Sequence, residues 1–265
     1  MSAQTTRRTA RVAWGGAIHT AEPHPHGLRL LGGNGHGRVL AEDAVVWLPP
    51  FEVGTVIALG LNYADHVQEL RKELTLNASG AKEEPLVFLK SASACIGHRG
   101  FTWRPDAVSF MHYECELAVV IGEPAHNVKA ADALRHVAGY TVCNDYAVRD
   151  HLENWYRPNL RVKHRDGGTV LGPWFVPADE VPDPQALTLR TWVNGELKQQ
   201  GNTAHMVNSV AKLIEYLSGF MTLQPGDVIL TGTPEGVVNV RAGDEVITEI
   251  EGLGALKNTL FGDTP

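Results

Sequence analysis

Tyr113-Glu114-Cys115-Glu116-Leu117-Ala118-Val119-Val120-Ile121, closed by Gly122, reads as a β-strand rich in apolar and β-branched residues. Alternate side chains of a strand share a face, so Glu114 and Glu116 point one way and Cys115 and Leu117 the other. Apolar flanks on both sides imply that the face bearing the two carboxylates is partly buried. Two such carboxylates repel unless a cation offsets them. An all-oxygen donor set suits a hard ion such as Mg²⁺ or Mn²⁺. A Glu-x-Glu pair on a strand is more often a solvated face than a metal site, so the reading needs a third ligand.

Working outward, residues 139–148 read as another strand, and Asp145 near its end can supply that third carboxylate. Taken alone, Asp145 is an ordinary turn or cap residue. Residues 53–61 and Pro85-Leu86-Val87-Phe88-Leu89-Lys90 read as further strands. Residues 62–70 read as a helix capped by Asn62, and residues 71–84 as a mobile surface loop. Residues 130–137 have helical composition. Asn194-Gly195 marks a hairpin between residues 187–193 and 198–200. Residues 209–220 form the best helix, with Val210, Leu213, Ile214 and Leu217 on one face. Residues 227–230 run as a strand into Thr231-Gly232-Thr233-Pro234, and residues 245–251 and 256–260 form a closing hairpin.

Strands outnumber helices and do not alternate with them as βαβ units do, which excludes a Rossmann or TIM architecture. The fold class is mainly β with few helices (α+β). Residues 9–50 contain the strand-like pieces Arg11-Val12-Ala13-Trp14, Leu28-Arg29-Leu30-Leu31 and Ala44-Val45-Val46-Trp47-Leu48. Pro49-Pro50 stiffens the connection that follows. The expected organisation is a small N-terminal β module over residues 1–50 and a catalytic domain over 51–265.

The 27 Gly and 15 Pro in 265 residues agree with a turn-rich, strand-rich chain. A net charge of −7 disfavours nucleic-acid binding. Cys95, Cys115 and Cys143 form no C-x-x-C pair, so they are expected as reduced thiols in a cytoplasmic protein. Residues 1–8 are expected as a frayed terminus, Arg7 and Arg8 included, not a targeting segment. No apolar run approaches the ~18 residues that span a membrane.

His66 and Glu69 are spaced i and i+3, so they share one side of the proposed helix. A carboxylate beside an imidazole orients it and raises its pKa, an acid–base device, although an isolated pair is more often a surface contact. Lys90, Arg149, Arg157, Arg161, Lys163 and Arg165 provide cations suited to an anionic substrate with more than one carboxylate. For Arg157 and Arg165, a charge-balanced surface is about as good a reading. If residues 159–163 are extended, Arg161 and Lys163 face the same side.

The order of these pieces resembles the fumarylacetoacetate hydrolase superfamily. Gly60-Leu61-Asn62-Tyr63, then His66 and Glu69, then Pro85 to Lys90 resemble its N-terminal motifs. Tyr113-Glu114-Cys115-Glu116-Leu117 resembles its metal strand and Asn144-Asp145 its third ligand. Pro225-Gly226-Asp227-Val228-Ile229 with Thr231-Gly232-Thr233-Pro234 resembles its C-terminal signature. Residues 138–150 and 152–163 look like one branch, the isomerase/decarboxylases of 4-hydroxyphenylacetate (homoprotocatechuate) breakdown. Its members decarboxylate 5-oxopent-3-ene-1,2,5-tricarboxylate and isomerise 2-hydroxyhepta-2,4-diene-1,7-dioate.

The resemblance implies a mixed β roll, one Mg²⁺ or Mn²⁺ per chain, and a homodimer. It makes Glu114, Glu116 and Asp145 the metal ligands. Lys90, Lys163 and Thr233 become substrate contacts, and His66 and Glu69 a lid dyad. Lys163 is also taken with that dyad in catalysis, and Arg149 and Arg161 as holders of a substrate carboxylate. Both reactions pass through a dienolate that a chelating metal can stabilise. The alternatives are an acylpyruvate-type C–C bond hydrolase and a non-catalytic metal-dependent ligand-binding protein.

Overall fold

In the computed structural model, which describes residues 7–65, 84–151 and 160–262, the N-terminal segment forms a five-stranded antiparallel sheet. Its strands are β1 (Ala10–Trp14), β2 (Ala17–His24), β3 (Gly27–Leu30), β4 (Val39–Leu40) and β5 (Val46–Leu48), in the order β4-β3-β2-β1-β5. Ala10, Val12, Ala21, Leu28 and Leu30 are fully buried beside Trp47. Strand β2 is absent from the sequence reading because His19, Thr20 and Glu22 break its apolar alternation. Gly15 and Gly16 build the β1–β2 turn. Gly15 and Gly16 have φ of 57° and 80°, and two positive φ values in a two-residue loop are what a type I′ hairpin requires.

The following strands are β6 (Val56–Gly60), β7 (Leu86–Lys90), β8 (Cys95–Gly97), β9 (Phe101–Arg104) and β10 (Met111–His112). Then come β11 (Cys115–Ile121), helix α1 (Ala130–Ala133), β12 (Val137–Asp145), β13 (Ala147–Val148), helix α2 (Leu160–Lys163) and β14 (Thr169–Pro177). The chain continues through β15 (Thr188–Val193), β16 (Glu196–Asn202), helix α3 (Val210–Ser218), β17 (Val228–Leu230), β18 (Glu245–Ile250) and β19 (Gly254–Gly262). The fold is mainly β with few helices, as expected from the sequence.

A seven-stranded mixed sheet runs β7-β6-β17-β11-β12-β14-β8, and a five-stranded sheet runs β16-β15-β18-β19-β9. All seven residues of β11 are buried, which requires cover on both faces of its sheet. One face carries Cys115, Leu117, Val119 and Ile121 into the large core with Leu189, Val246, Ile250 and Leu256. The opposite face carries Ala118, which packs with Val56, Ala58 and Leu230 under Phe51 and Phe88. Glu116 lies two residues from Ala118 and shares this second face, whose smaller apolar cluster leaves room for polar groups.

Helix α3 begins at Ser209, whose hydroxyl accepts from the Lys212 N–H, and buries Val210, Leu213, Ile214 and Leu217. Two expectations need correction. Asn62 is not a helix cap: its amide donates to Asn208 O (3.1 Å) and Thr231 O (2.8 Å) and accepts from Asn208 N (2.8 Å). Residues 160–163 are helical, not extended, so Arg161 and Lys163 lie about 200° apart around α2. No described helix is long and apolar enough to cross a membrane.

Candidate metal centre

Strand register brings the three carboxylates together. Cys115 pairs with Asn144 and Glu116 with Cys143, and the Asp145 N–H donates to Glu114 O at 2.9 Å. Asp145 is thereby set across from Glu114, on the face that also carries Glu116. One carboxylate oxygen from each of the three residues lies within 4.8 Å of the others, and all three residues are buried.

Two lysines reach this cluster. Lys163 Nζ lies 2.5 Å from Glu114 Oε2 and 2.9 Å from Asp145 Oδ2, and Lys90 Nζ donates to Asp145 Oδ1. The mixed sheet sends Lys90 in from the end of β7, and α2 turns Lys163 inward while Arg161 stays exposed. Arg149 Nη2 stands 3.5 Å from Glu114 Oε1. Its Nε donates to His112 Nε2 at 2.6 Å. Glu116 Oε2 accepts the Gly232 N–H at 2.6 Å, which draws the Thr231-Gly232-Thr233-Pro234 segment onto the cluster. Thr233 is buried one residue further on, and its Oγ1 accepts from Gln199 Nε2 at 2.9 Å.

The carboxylates are not equivalent. Burial alone would raise Glu114, but the Lys163 ammonium first and the Arg149 guanidinium beside it outweigh burial and hold its carboxyl below the usual range. Burial pushes Glu116 well above that range, and the nearby Asp145 and Glu114 add to the rise. Burial opposes the charge on Lys163 too, yet Asp145, Glu114 and Glu116 keep it firmly protonated. A buried carboxyl pushed up by its own neighbours is a group whose ionised form a dication would restore. Three carboxylates with no sulfur or imidazole donor also form the hard oxygen set of a divalent ion. The residues present therefore fit a divalent metal.

Of the other sequence candidates, His66, Glu69 and Arg157 lie outside the described residues. Arg165 stands 3.3 Å from His151 Nε2, away from the three carboxylates' own contacts. Two residues that the sequence reading missed belong to the centre's surroundings. His112 is two positions before Glu114, so the same alternation that paired Glu114 with Glu116 could have found it. Gln199 gave no such signal, because its partner Thr233 comes from a distant loop.

Comparison with known proteins bears on this geometry. The family model "Fumarylacetoacetate (FAA) hydrolase C-terminal" matches residues 55–261. A 4-hydroxyphenylacetate degradation bifunctional isomerase/decarboxylase from Salmonella dublin is 54% identical over 228 residues, covering 84% of this chain and 51% of that protein. One of the same description from Escherichia coli is 56% identical over 214 residues, covering 81% of this chain and 48% of that protein. The chain thus spans about half the length of these relatives. Among solved structures, a 5-carboxymethyl-2-hydroxymuconate delta-isomerase from Mycobacterium smegmatis superposes with a TM-score of 0.82 at 36% identity, covering 97% of this chain and 100% of that one. The matched region holds every strand that positions Glu114, Glu116 and Asp145, and the chain belongs to the fumarylacetoacetate hydrolase family.

Proposed function

We propose that the chain is a divalent-metal-dependent isomerase/decarboxylase acting in aromatic catabolism. It decarboxylates 5-oxopent-3-ene-1,2,5-tricarboxylate, isomerises 2-hydroxyhepta-2,4-diene-1,7-dioate, or does both. The observation that carries this reading is the buried convergence of Glu114, Glu116 and Asp145, in a chain 54% identical over 228 residues and 56% identical over 214 residues to two relatives that bear that description. The same reading takes Mg²⁺ or Mn²⁺ as the ion and a cytoplasmic homodimer as the working form. It divides the chain into a β module over 1–50 and a metal-dependent domain over 51–265.

A divalent ion on these carboxylates would chelate the keto and carboxylate oxygens of a 2-oxo acid and stabilise charge developing at the keto oxygen. The chain's own residues do the rest. Lys163 and Lys90 hold Glu114 and Asp145 in their rotamers through direct ammonium–carboxylate contacts. Arg149 adds positive charge beside Glu114 and attracts an anionic substrate. On this reading His66 and Glu69, the acid–base residues expected from the sequence, would deliver a proton to the carbon left when CO₂ departs, or shift one between carbons in the isomerisation. Burial of the carboxylates excludes water, which strengthens each of these electrostatic contacts.

A steady-state assay of the chelator-treated protein on both substrates, with Mg²⁺ or Mn²⁺ restored, tests the proposal. The expected result is turnover of at least one substrate, lost on chelation and regained with metal. Turnover of acylpyruvates alone would replace it with the hydrolase reading. Oxalate binding without turnover of any substrate would leave a ligand-binding protein.

A further inference from the structure

Gln199 lies in β16, at the edge of the five-stranded sheet, and is buried to 1% exposure. Its three hydrogen bonds determine which way its amide faces. Nε2 stands 2.8 Å from Pro234 O, a carbonyl that can only accept, so this end must be the NH₂. The second hydrogen on Nε2 goes to Thr233 Oγ1 at 2.9 Å. At the other end, Oε1 accepts from the Thr191 hydroxyl at 3.1 Å. Thr191 is itself fully buried, so the amide is held between two strands and a loop.

The loop is pressed against β16 closely enough to hold this geometry. A Cβ added to Gly201 would come within 2.6 Å of Pro234 Cγ, and one on Gly236 would meet Lys198 O at 2.9 Å. Only glycine permits both approaches. Thr233 is thus clamped one residue beyond the Gly232 N–H that binds Glu116.

A hydroxyl has one hydrogen to give. Because Thr233 Oγ1 accepts from Gln199, its own hydrogen remains free, and among the described residues none accepts it. The geometry points to Gln199 as a positioning residue that fixes Thr233 as a hydrogen-bond donor toward the substrate. The substrate atom that meets it is an acceptor, a carboxylate oxygen of the 2-oxo acid. The inference rests on reading the centre as a 2-oxo acid site and adds the residue that sets the polarity of one contact. Gln199 touches no substrate and acts through Thr233 alone.

A double-mutant cycle isolates that dependence. Oxalate, in saturating Mg²⁺, is titrated calorimetrically into wild type, Gln199→Met, Thr233→Val and the double variant, with Tm measured for each. Gln199→Met should weaken oxalate binding roughly 10-fold, the scale of one hydrogen bond to a charged group. KM for the turned-over substrate should rise in parallel while kcat stays within about twofold. In the Thr233→Val background the same change should cost nothing further. Gln199→Glu, which replaces the donor with an acceptor and draws the Thr233 hydrogen back to residue 199, should weaken oxalate at least as much. It serves as the test if the methionine variant does not fold.

Equal losses from Gln199→Met in both backgrounds would mean a purely structural role and overturn the inference. So would a fall in kcat with unchanged oxalate affinity, or failure of the wild type to bind oxalate. Coupled losses in oxalate binding without turnover of either proposed substrate would sink the proposed function and leave this inference standing.

Discussion

Arg149 Nε donates to His112 Nε2 at 2.6 Å, while His112 Nδ1 lies 3.0 Å from Tyr113 O. A guanidinium cannot accept a hydrogen bond, so Nε2 is bare and Nδ1 carries the proton to the carbonyl. The imidazole is neutral, and its tautomer is dictated by its two partners. In that state it steadies an arginine that stands against Glu114.

Burial pushes His112 down to about 3, and the adjacent Arg149 pushes the same way. An unfolded histidine titrates near 6.5. Between those values the unfolded chain binds a proton that the native chain refuses, so stability falls as pH drops from 6.5 toward 3. Urea unfolding of wild type and His112→Gln at pH 7 and pH 5 reads this directly. The variant should be less stable at pH 7 but lose roughly 1–2 kcal/mol less on going to pH 5. Parallel pH dependences would show that His112 is not the responsible group.

Glu116 must shed a proton before it can serve a cation, and its raised pKa places that step above the ordinary carboxylate range. Mn²⁺ affinity should therefore fall as pH falls, by up to about tenfold per unit while Glu116 is protonated. Glu116→Gln should weaken Mn²⁺ by at least about tenfold and flatten the pH dependence. Titration calorimetry over a pH series measures both. A pH-independent wild-type affinity would count against Glu116 as a ligand.

Arg161 and Arg149 should separate clearly in kinetics. Arg161 is exposed on the far side of α2 from Lys163. Its leucine variant should keep kcat/KM within about twofold, as for other surface changes. Arg149→Leu should cost roughly 10- to 100-fold, the loss of a charge-assisted contact. A selective loss with Arg161→Leu on dicarboxylates would instead make it the reader of the distal carboxylate.

Gly97 is where the N-terminal sheet meets the mixed sheet. A Cβ there would stand 2.4 Å from Trp47 O and 2.6 Å from Leu48 C, both backbone atoms that cannot swing aside. Trp47 packs edge-on against His98 and Trp174 at ring distances of 4.6 and 5.4 Å. Gly97→Ala should destabilise the protein by roughly 1–3 kcal/mol and leave Mn²⁺ affinity unchanged at 25 °C. Thermal melts and calorimetry check the two halves of that statement. A Tm equal to wild type would show that β5 can give way.

The strand with Glu114 and Glu116 was legible because its alternation is local: the two carboxylates share a face whatever the rest of the chain does. The partnership with Asp145 depends on the register of β11 against β12, which one chain's pattern does not reveal. Helix α2 escaped notice because four residues are too few to show a 3.6-residue period. Strand β2 escaped because His19 and Glu22 mask its alternation, although Gly15-Gly16 announced the turn. Gln199 reads as one more polar residue of an edge strand. Its meaning comes from Thr233, 34 residues later, and from no feature of its own neighbourhood.

The separations along the chain also suggest an order in which the contacts of the centre form. Lys163 reaches Asp145 across 18 residues, whereas Gly232 reaches Glu116 across 116. Closing the longer span costs about 1.7 kcal/mol more in chain entropy. The Lys163–Asp145 contact can therefore form while the C-terminal strands are still loose. The contact of Gly232 with Glu116 is expected to follow that of Lys163 with Asp145. An ion present during refolding should accordingly hasten the early phase that pairs β11 with β12, and leave the later docking of β17 unhurried.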